Sequence, residues 1–237
     1  MLAAAGAAFY IHQHKRRHRA TVIYPNFGIP IPPAYSIHGI DVSRYQEGIS
    51  WKMVRAMKEG DIRVKFAFIK ATEGTEMTDP CFEDNWAECA ESGLVRGAYH
   101  YFISSQDGAA QARNFIKHAP VKKGDFPPVV DVEDDANTTP EAMRSALSAC
   151  LALLEKKYKA KPIIYTNPGF YEVYLKGFYE DYPLWIAHYG QDEKPGINRP
   201  WTFWQHSCEG HISGIAPQVD FNVFNGDSVA FQKVLMP

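Results

Sequence analysis

Residues 127–135, P-P-V-V-D-V-E-D-D, constrain the fold of this chain more than any other stretch. Prolines and valines running straight into carboxylates read as a buried strand of a parallel sheet, because strands covered on both faces lack polar alternation. Its acidic C-terminal end opens into a polar cavity, which is where barrels of parallel strands carry their chemistry. Side chains two apart in a strand share a face, so Asp131 and Glu133 project together while Val132 packs on the other side. Like charges held that close raise the pKa of one, leaving a protonated acid beside a carboxylate near neutral pH. Glycosidic bond cleavage uses such a pair. An arbitrary D-x-E is more often a solvated strand end or a helix cap, as Asp134 and Asp135 are read, so the weight comes from the rest of the chain.

That strand stands within an alternation. Residues 38–43 read as a first strand ending on an acid, followed by a helix capped by Ser50 and running to Glu59. Strands at 64–72 and 95–102 are followed by helices at 80–91 and 106–118. The 127–133 strand precedes a long helix with Thr139 as cap and Pro140 in the first turn, ending near Tyr158. Residues 162–166 form a fifth strand before a short aromatic helix near 169–175. Strands at 184–188, 201–206 and 218–223 are joined by loops, and residues 227–235 close the chain as a helix. The expected fold is α/β: a distorted TIM-like β/α barrel of eight strands, with helices after the first five and few after the last three. Its catalytic domain is expected to span residues 37–237, with 1–36 as an N-terminal extension.

A formal net charge of −2 with scattered Lys and Arg argues against nucleic acid as a partner, which would call for a basic face. The cysteines, four in 237 residues, do not make a disulfide framework, and no C-x-x-C marks a zinc site. They are read as ordinary thiols. The apolar run 2–11 is short of a membrane span and precedes the basic run 12–19, the reverse of a signal peptide. It reads as a leader or the remnant of a membrane anchor, so any membrane association is expected through this extension alone. His14 and His18 have the i, i+4 spacing of a helical metal site, but in so basic a tail they are not assigned one. Residues 24–35, with four prolines, read as an extended lead-in arm. Neither G-x-S-x-G nor a Gly-rich phosphate loop occurs.

Eight motifs carry a family resemblance: G-I-D-V-S-R-Y-Q at Gly39, F-I-K-A-T-E-G at Phe68, G-A-Y-H-Y-F at Gly97, V-V-D-V-E at Val129, I-I-Y-T-N at Ile163, L-W-I-A-H-Y at Leu184, W-Q-H-S at Trp204 and V-D-F-N-V-F at Val219. In this order they resemble glycoside hydrolase family 25, lysozymes acting as β-1,4-N-acetylmuramidases on peptidoglycan. The resemblance covers residues 37–237, and the family's four acidic positions match Asp41, Asp131, Glu133 and Asp220. It implies a monomeric, secreted or envelope-associated enzyme with peptidoglycan as partner and no cofactor. Glu133 is then the general acid and base, and Asp131 orients the substrate's 2-acetamido group as it attacks C1 with retention. The rival route makes Asp131 or Asp220 the nucleophile.

In a closed barrel strand eight lies beside strand one, so Asp41 and Asp220 would face Asp131 and Glu133 across the mouth. Tyr99 alternates with His100, and either can face the mouth. Tyr165, Trp185 and Trp204 lie near strand ends, where aromatic faces stack on pyranose rings or simply fill the core. Gln205, Lys70 and Glu73 complete the expected substrate contacts, although Lys70 and Glu73 can equally pair with each other. Two other function classes remain open from sequence: a non-catalytic glycan-binding barrel, which would lose the acid pair, and a metal-dependent hydrolase holding Mg²⁺ or Ca²⁺ on Asp41, Asp131 and Asp220.

Overall fold

The computed structural model describes residues 23–237. The readings of the apolar run 2–11 and of His14 and His18 lie outside the described residues. In chain order the barrel elements are β1 (His38–Val42), α1 (Trp51–Ala56), β2 (Ile62–Glu73), α2 (Phe82–Glu91), β3 (Val95–Tyr101), α3 (Gly108–His118), β4 (Val129–Asp131) and α4 (Pro140–Tyr158). They continue with β5 (Ile163–Thr166), α5 (Pro168–Phe170) running into a π turn, β6 (Leu184–Ala187), β7 (Phe203–Ile212), β8 (Ile215–Phe224) and α6 (Ser228–Val234).

The sheet closes. β2 to β7 are joined in sequence by parallel pairing, β8 pairs antiparallel with β7 and with β1, and β1 returns parallel to β2. Helices follow the first five strands and are sparse after the last three, so this is the distorted eight-stranded barrel that the alternation predicts.

Period-2 alternation sorts the side chains into an inner and an outer core. Phe66, Phe68, Phe126, Val129, Ile163, Phe203, Phe224 and Phe231 fill the interior below the mouth. Ile40, Ala67, Ile69, Val130, Val132 and Ile164 face outward into the layer beneath the helices. Burying each phenylalanine contributes ~2–3 kcal/mol, and the ring centroids of Phe66, Phe68, Phe126 and Phe203 lie 5.1–5.6 Å apart in mostly edge-on pairs. This plug demands glycine beside it: a Cβ on Gly39 would stand 2.3 Å from the Phe66 ring, and one on Gly97 2.5 Å from Phe68.

Several boundaries differ from the expected ones for local reasons. α1 stops at Ala56 instead of Glu59, because Lys58 and Glu59 pair antiparallel with Arg63 and Ile62 around Gly60, whose φ is +58°. β4 keeps only three residues in its ladder, since Pro127 and Pro128 have no N–H to donate. The extended path still continues, with the Val132 N–H donating to the Tyr165 carbonyl at 2.9 Å, which carries Glu133 to the mouth. β7 and β8 are far longer than expected and form one hairpin turning at Gly214 (φ +96°). The expected cap Thr139 accepts from the Ala142 N–H, and α4 ends where Lys159 turns left-handed at φ 58°.

The arm is not simply extended: Ile23–Tyr24 pair antiparallel with Ile29–Pro30, turning at Gly28 (φ 70°), and it packs on the outer wall of the β7–β8 hairpin, where no helix follows. Phe27 is fully buried edge-on against Phe221 at 5.4 Å, and its carbonyl accepts from the His211 N–H. Tyr35 packs against Trp201 and Trp204. All four cysteines are free thiols. Among the described residues no helix is long and apolar enough to cross a membrane.

Candidate active site

The mouth of the barrel holds one polar cavity of about 250 Å³, lined by Asp41, Asp131, Glu133 and Asp220 with Tyr99, Tyr165, Trp185, Tyr189 and Gln205. An adjoining cavity of about 210 Å³ shares the four acids and Tyr99 and extends to Ser43, Tyr45, Gln46, Lys70 and Tyr101. Each acid arrives by strand geometry. Asp41 is the inward residue near the end of β1. Asp220 is its register partner, brought to the same end because β8 runs antiparallel. Asp131 ends β4, and Glu133 follows on the same face.

Buried amides organise this mouth. The Nε2 of Gln205 donates to both oxygens of Asp41, at 3.0 and 2.9 Å, and the Nδ2 of Asn222 donates to Asp41 Oδ2 at 2.6 Å. Behind them, the hydroxyls of Tyr165 and Tyr189 donate to Gln205 Oε1 at 2.9 and 2.7 Å, and the Trp185 indole N–H donates to Asn222 Oδ1 at 2.7 Å. Lys70 pairs with Glu73 at 2.7 Å and lies over the Tyr101 ring.

Burial pushes all four acids the same way, upward. Burial raises Asp41, the Asp220 charge adds to it, and the amide donors oppose. Asp220 is pushed up to about 6, chiefly by burial. Asp131 is raised by burial and then by Glu133, against the pull of Lys70. Glu133, at the rim, is raised by partial burial of its carboxyl and by Asp134, again opposed by Lys70. One oxygen of Asp131, Oδ1, is buried with no partner. The site therefore holds protons on carboxyls at pH values where free carboxylates have lost them, and it keeps an acceptor ready for a donor from outside. Proton transfer to a leaving oxygen is within its reach.

A profile described as "Glycosyl hydrolases family 25" matches residues 40–215. The chain belongs to glycosyl hydrolase family 25. It is a glycoside hydrolase. Among similar proteins, YegX of Escherichia coli K12, itself described as uncharacterized, is 48% identical over 201 residues, 85% of this chain and 74% of that protein. Lysozyme M1 of Streptomyces globisporus is 31% identical over 207 residues, 81% of this chain and 69% of its own length. The solved structure of a family 25 glycosyl hydrolase from Bacillus anthracis superposes with a TM-score of 0.79 at 35% identity, covering 86% of this chain and 95% of that one.

Within this family-25 barrel the sequence-derived residues divide. Asp41, Asp131, Glu133, Asp220, Tyr99, Tyr165, Trp185, Gln205 and Lys70 reach the groove. Trp204 does not, and its expected sugar contact is corrected: it is fully buried on the outer wall among Leu184, Ile186 and Val223, with its indole N–H on the His188 carbonyl. Neighbouring strand residues point to opposite faces, so with Gln205 inward Trp204 must point outward. Glu73 is held by Lys70 instead of lining the groove. Trp185 forms the floor, not a stacking platform, because one face lies on Phe68 at 4.4 Å and Tyr165 abuts the ring edge-on. His100 is a satisfied core histidine between Thr72 and Gln111, leaving Tyr99 to the mouth.

Tyr189 and Asn222 escaped the sequence analysis. Asn222 was readable, since it stands two residues from Asp220 and so shares its face. Tyr189 lies beyond the end of β6, where strand periodicity gives no direction. Among the described residues no group of three or more His, Cys, Asp or Glu side chains is placed to hold a metal ion.

Proposed function

We propose that this family-25 hydrolase is a lysozyme that cleaves the β-1,4 bond between N-acetylmuramic acid and N-acetylglucosamine in peptidoglycan. The observation that carries this reading is the placement of Asp131 and Glu133 on one face at the end of β4, in one cavity with Asp41 and Asp220. Relatives named as a lysozyme and as N,O-diacetylmuramidases support the choice of substrate. Glu133, raised and solvent-accessible, protonates the leaving glycosidic oxygen and then activates water. Asp131 receives the N–H of the 2-acetamido group on its unpartnered Oδ1, aiming the acetamido oxygen at C1 and stabilising the positive charge that develops. The result is retention through the substrate's own nucleophile.

The enzyme acts as a monomer, in the cell envelope or after secretion, where peptidoglycan is found, and residues 37–237 are its catalytic unit. Mass spectrometry of fragments released from purified cell walls tests the reading. Reducing-end muramic acid is expected, and reducing-end glucosamine would assign the other glycosidic bond and end it.

A further inference from the structure

Asp41 and Asp220 are register partners on adjacent strands, yet their surroundings are unequal. Asp41 is buried and accepts three N–H contacts from Gln205 and Asn222, which occupy both of its oxygens. Asp220 is partly exposed and has no amide donor of this kind. The amides themselves cannot turn: Oε1 of Gln205 accepts two phenols and Oδ1 of Asn222 accepts the Trp185 indole, so the N–H ends of both face Asp41. The Gln205 oxygen is held by two donors and the Asn222 oxygen by one, the Trp185 indole.

We propose that Asn222, oriented by the Trp185 indole, is a positioning residue for the reaction: it locks Asp41 as the fixed inner partner of Asp220 and leaves Asp220 as the member of the pair that meets substrate. This rests on the glycosidase reading of the site above. An N–H donor to a buried carboxylate favours its charged form, so Asn222 also limits how tightly the pair holds a proton. The other ionisable groups facing the pair are Asp131 at the end of β4 and Glu133 just beyond it, Tyr99 from β3, Tyr165 from β5, Tyr189 after β6 and Cys208 of β7, with Lys70 of β2 acting on Asp131 and Glu133. None of them donates to Asp41, so none replaces the lost contact.

The test uses Asn222→Ala, Asn222→Ser and Trp185→Phe in the full chain. Each is followed by the pH profile of kcat/KM on cell walls and by NMR titration of ¹³C-labelled aspartate carboxyls. Loss of the donor to Asp41 is expected to move the acid limb and the Asp41 titration upward by about half a unit or more, with kcat down roughly tenfold and KM nearly unchanged. Trp185→Phe moves both the same way while Asn222 itself remains, and Asn222→Ser, which keeps a small donor, recovers part of the shift. Adding a peptidoglycan disaccharide shifts the Asp220 carboxyl signal more than that of Asp41. A folded Asn222→Ala with unchanged acid limb and unchanged titration, and only a lower denaturation midpoint, would reduce Asn222 to a structural residue. A disaccharide response confined to Asp41 would overturn the division of roles. If the wild type releases no muropeptides, the proposed function fails, while the titrations still decide this inference because they need no turnover.

Discussion

Glu133 and Asp131 stand two residues apart and do different work because their surroundings differ. Glu133 sits at the rim with its pKa raised, while Asp131 is buried with a free acceptor oxygen. Glu133→Gln keeps the shape and removes the titratable proton, so cell-wall turnover should fall by about 10²–10⁴, measured as turbidity loss, with the thermal midpoint nearly unchanged. Near-wild-type turnover would end the acid assignment. Asp131→Asn should still bind glycan yet lose turnover, because an amide offers no charge to the oxazolinium-like intermediate. A de-N-acetylated glycan supplies the independent check. It has no acetamido oxygen to attack with, and cleavage as fast as that of the acetylated strand would exclude neighbouring-group participation. At this scale the four acids were legible because strand ends and period-2 spacing fix where they point. Trp204 was misread because its motif places two polar-capable residues side by side, and only one of them can face inward.

Among the elements, the first five strand–helix units were legible because apolar runs, caps and helical spacing agreed there. The β7–β8 hairpin was not: residues 207–211, S-C-E-G-H, lack the alternation that marks a strand, and their pairing is driven by the partner strand and by Gly210 beneath the Phe221 ring. The same region shows what the arm does. No helix covers the outer wall of the hairpin, and Phe27, Ile29 and Ile31 bury their side chains there instead. Phe27→Ala should therefore cost ~3–5 kcal/mol of stability, read from urea denaturation. The pH profile of activity should stay where it is, since Phe27 contacts the wall and not the mouth. A loss below about 1 kcal/mol would mean that the arm merely lies on the barrel.

For the whole molecule, the catalytic mouth is a place where stability is given up. Four carboxyls share one cavity, and burial pushes Asp220 up to about 6 from 3.8. In the unfolded chain an aspartate titrates at ~3.9, so between those values the folded state binds more protons than the unfolded state. The contribution of Asp220 to stability is thus fully present below about pH 4 and is lost as pH rises through 6. One pKa unit is ~1.4 kcal/mol, which makes the shift worth ~3 kcal/mol, or ~2 kcal/mol once discounted for partial exposure. The buried histidines work in the opposite direction. His38 and His100 are depressed to about 4 and His206 to about 3 by burial, so each withdraws stability as pH falls below 6.5. A bare pH–stability curve mixes the two signs, and a difference between two proteins that share the histidines separates them. Asp220→Asn removes this charge and, with it, part of what raises Asp41, while the histidines are left as they are. It should be more stable than the wild type by ~2 kcal/mol at pH 7.5, with the gap closing toward zero by about pH 4, measured by urea unfolding across that range. A gap that stays constant with pH would show that the Asp220 charge is not held against its solvation in the folded state, and the strained four-acid mouth would have to be given up as the source of its chemistry.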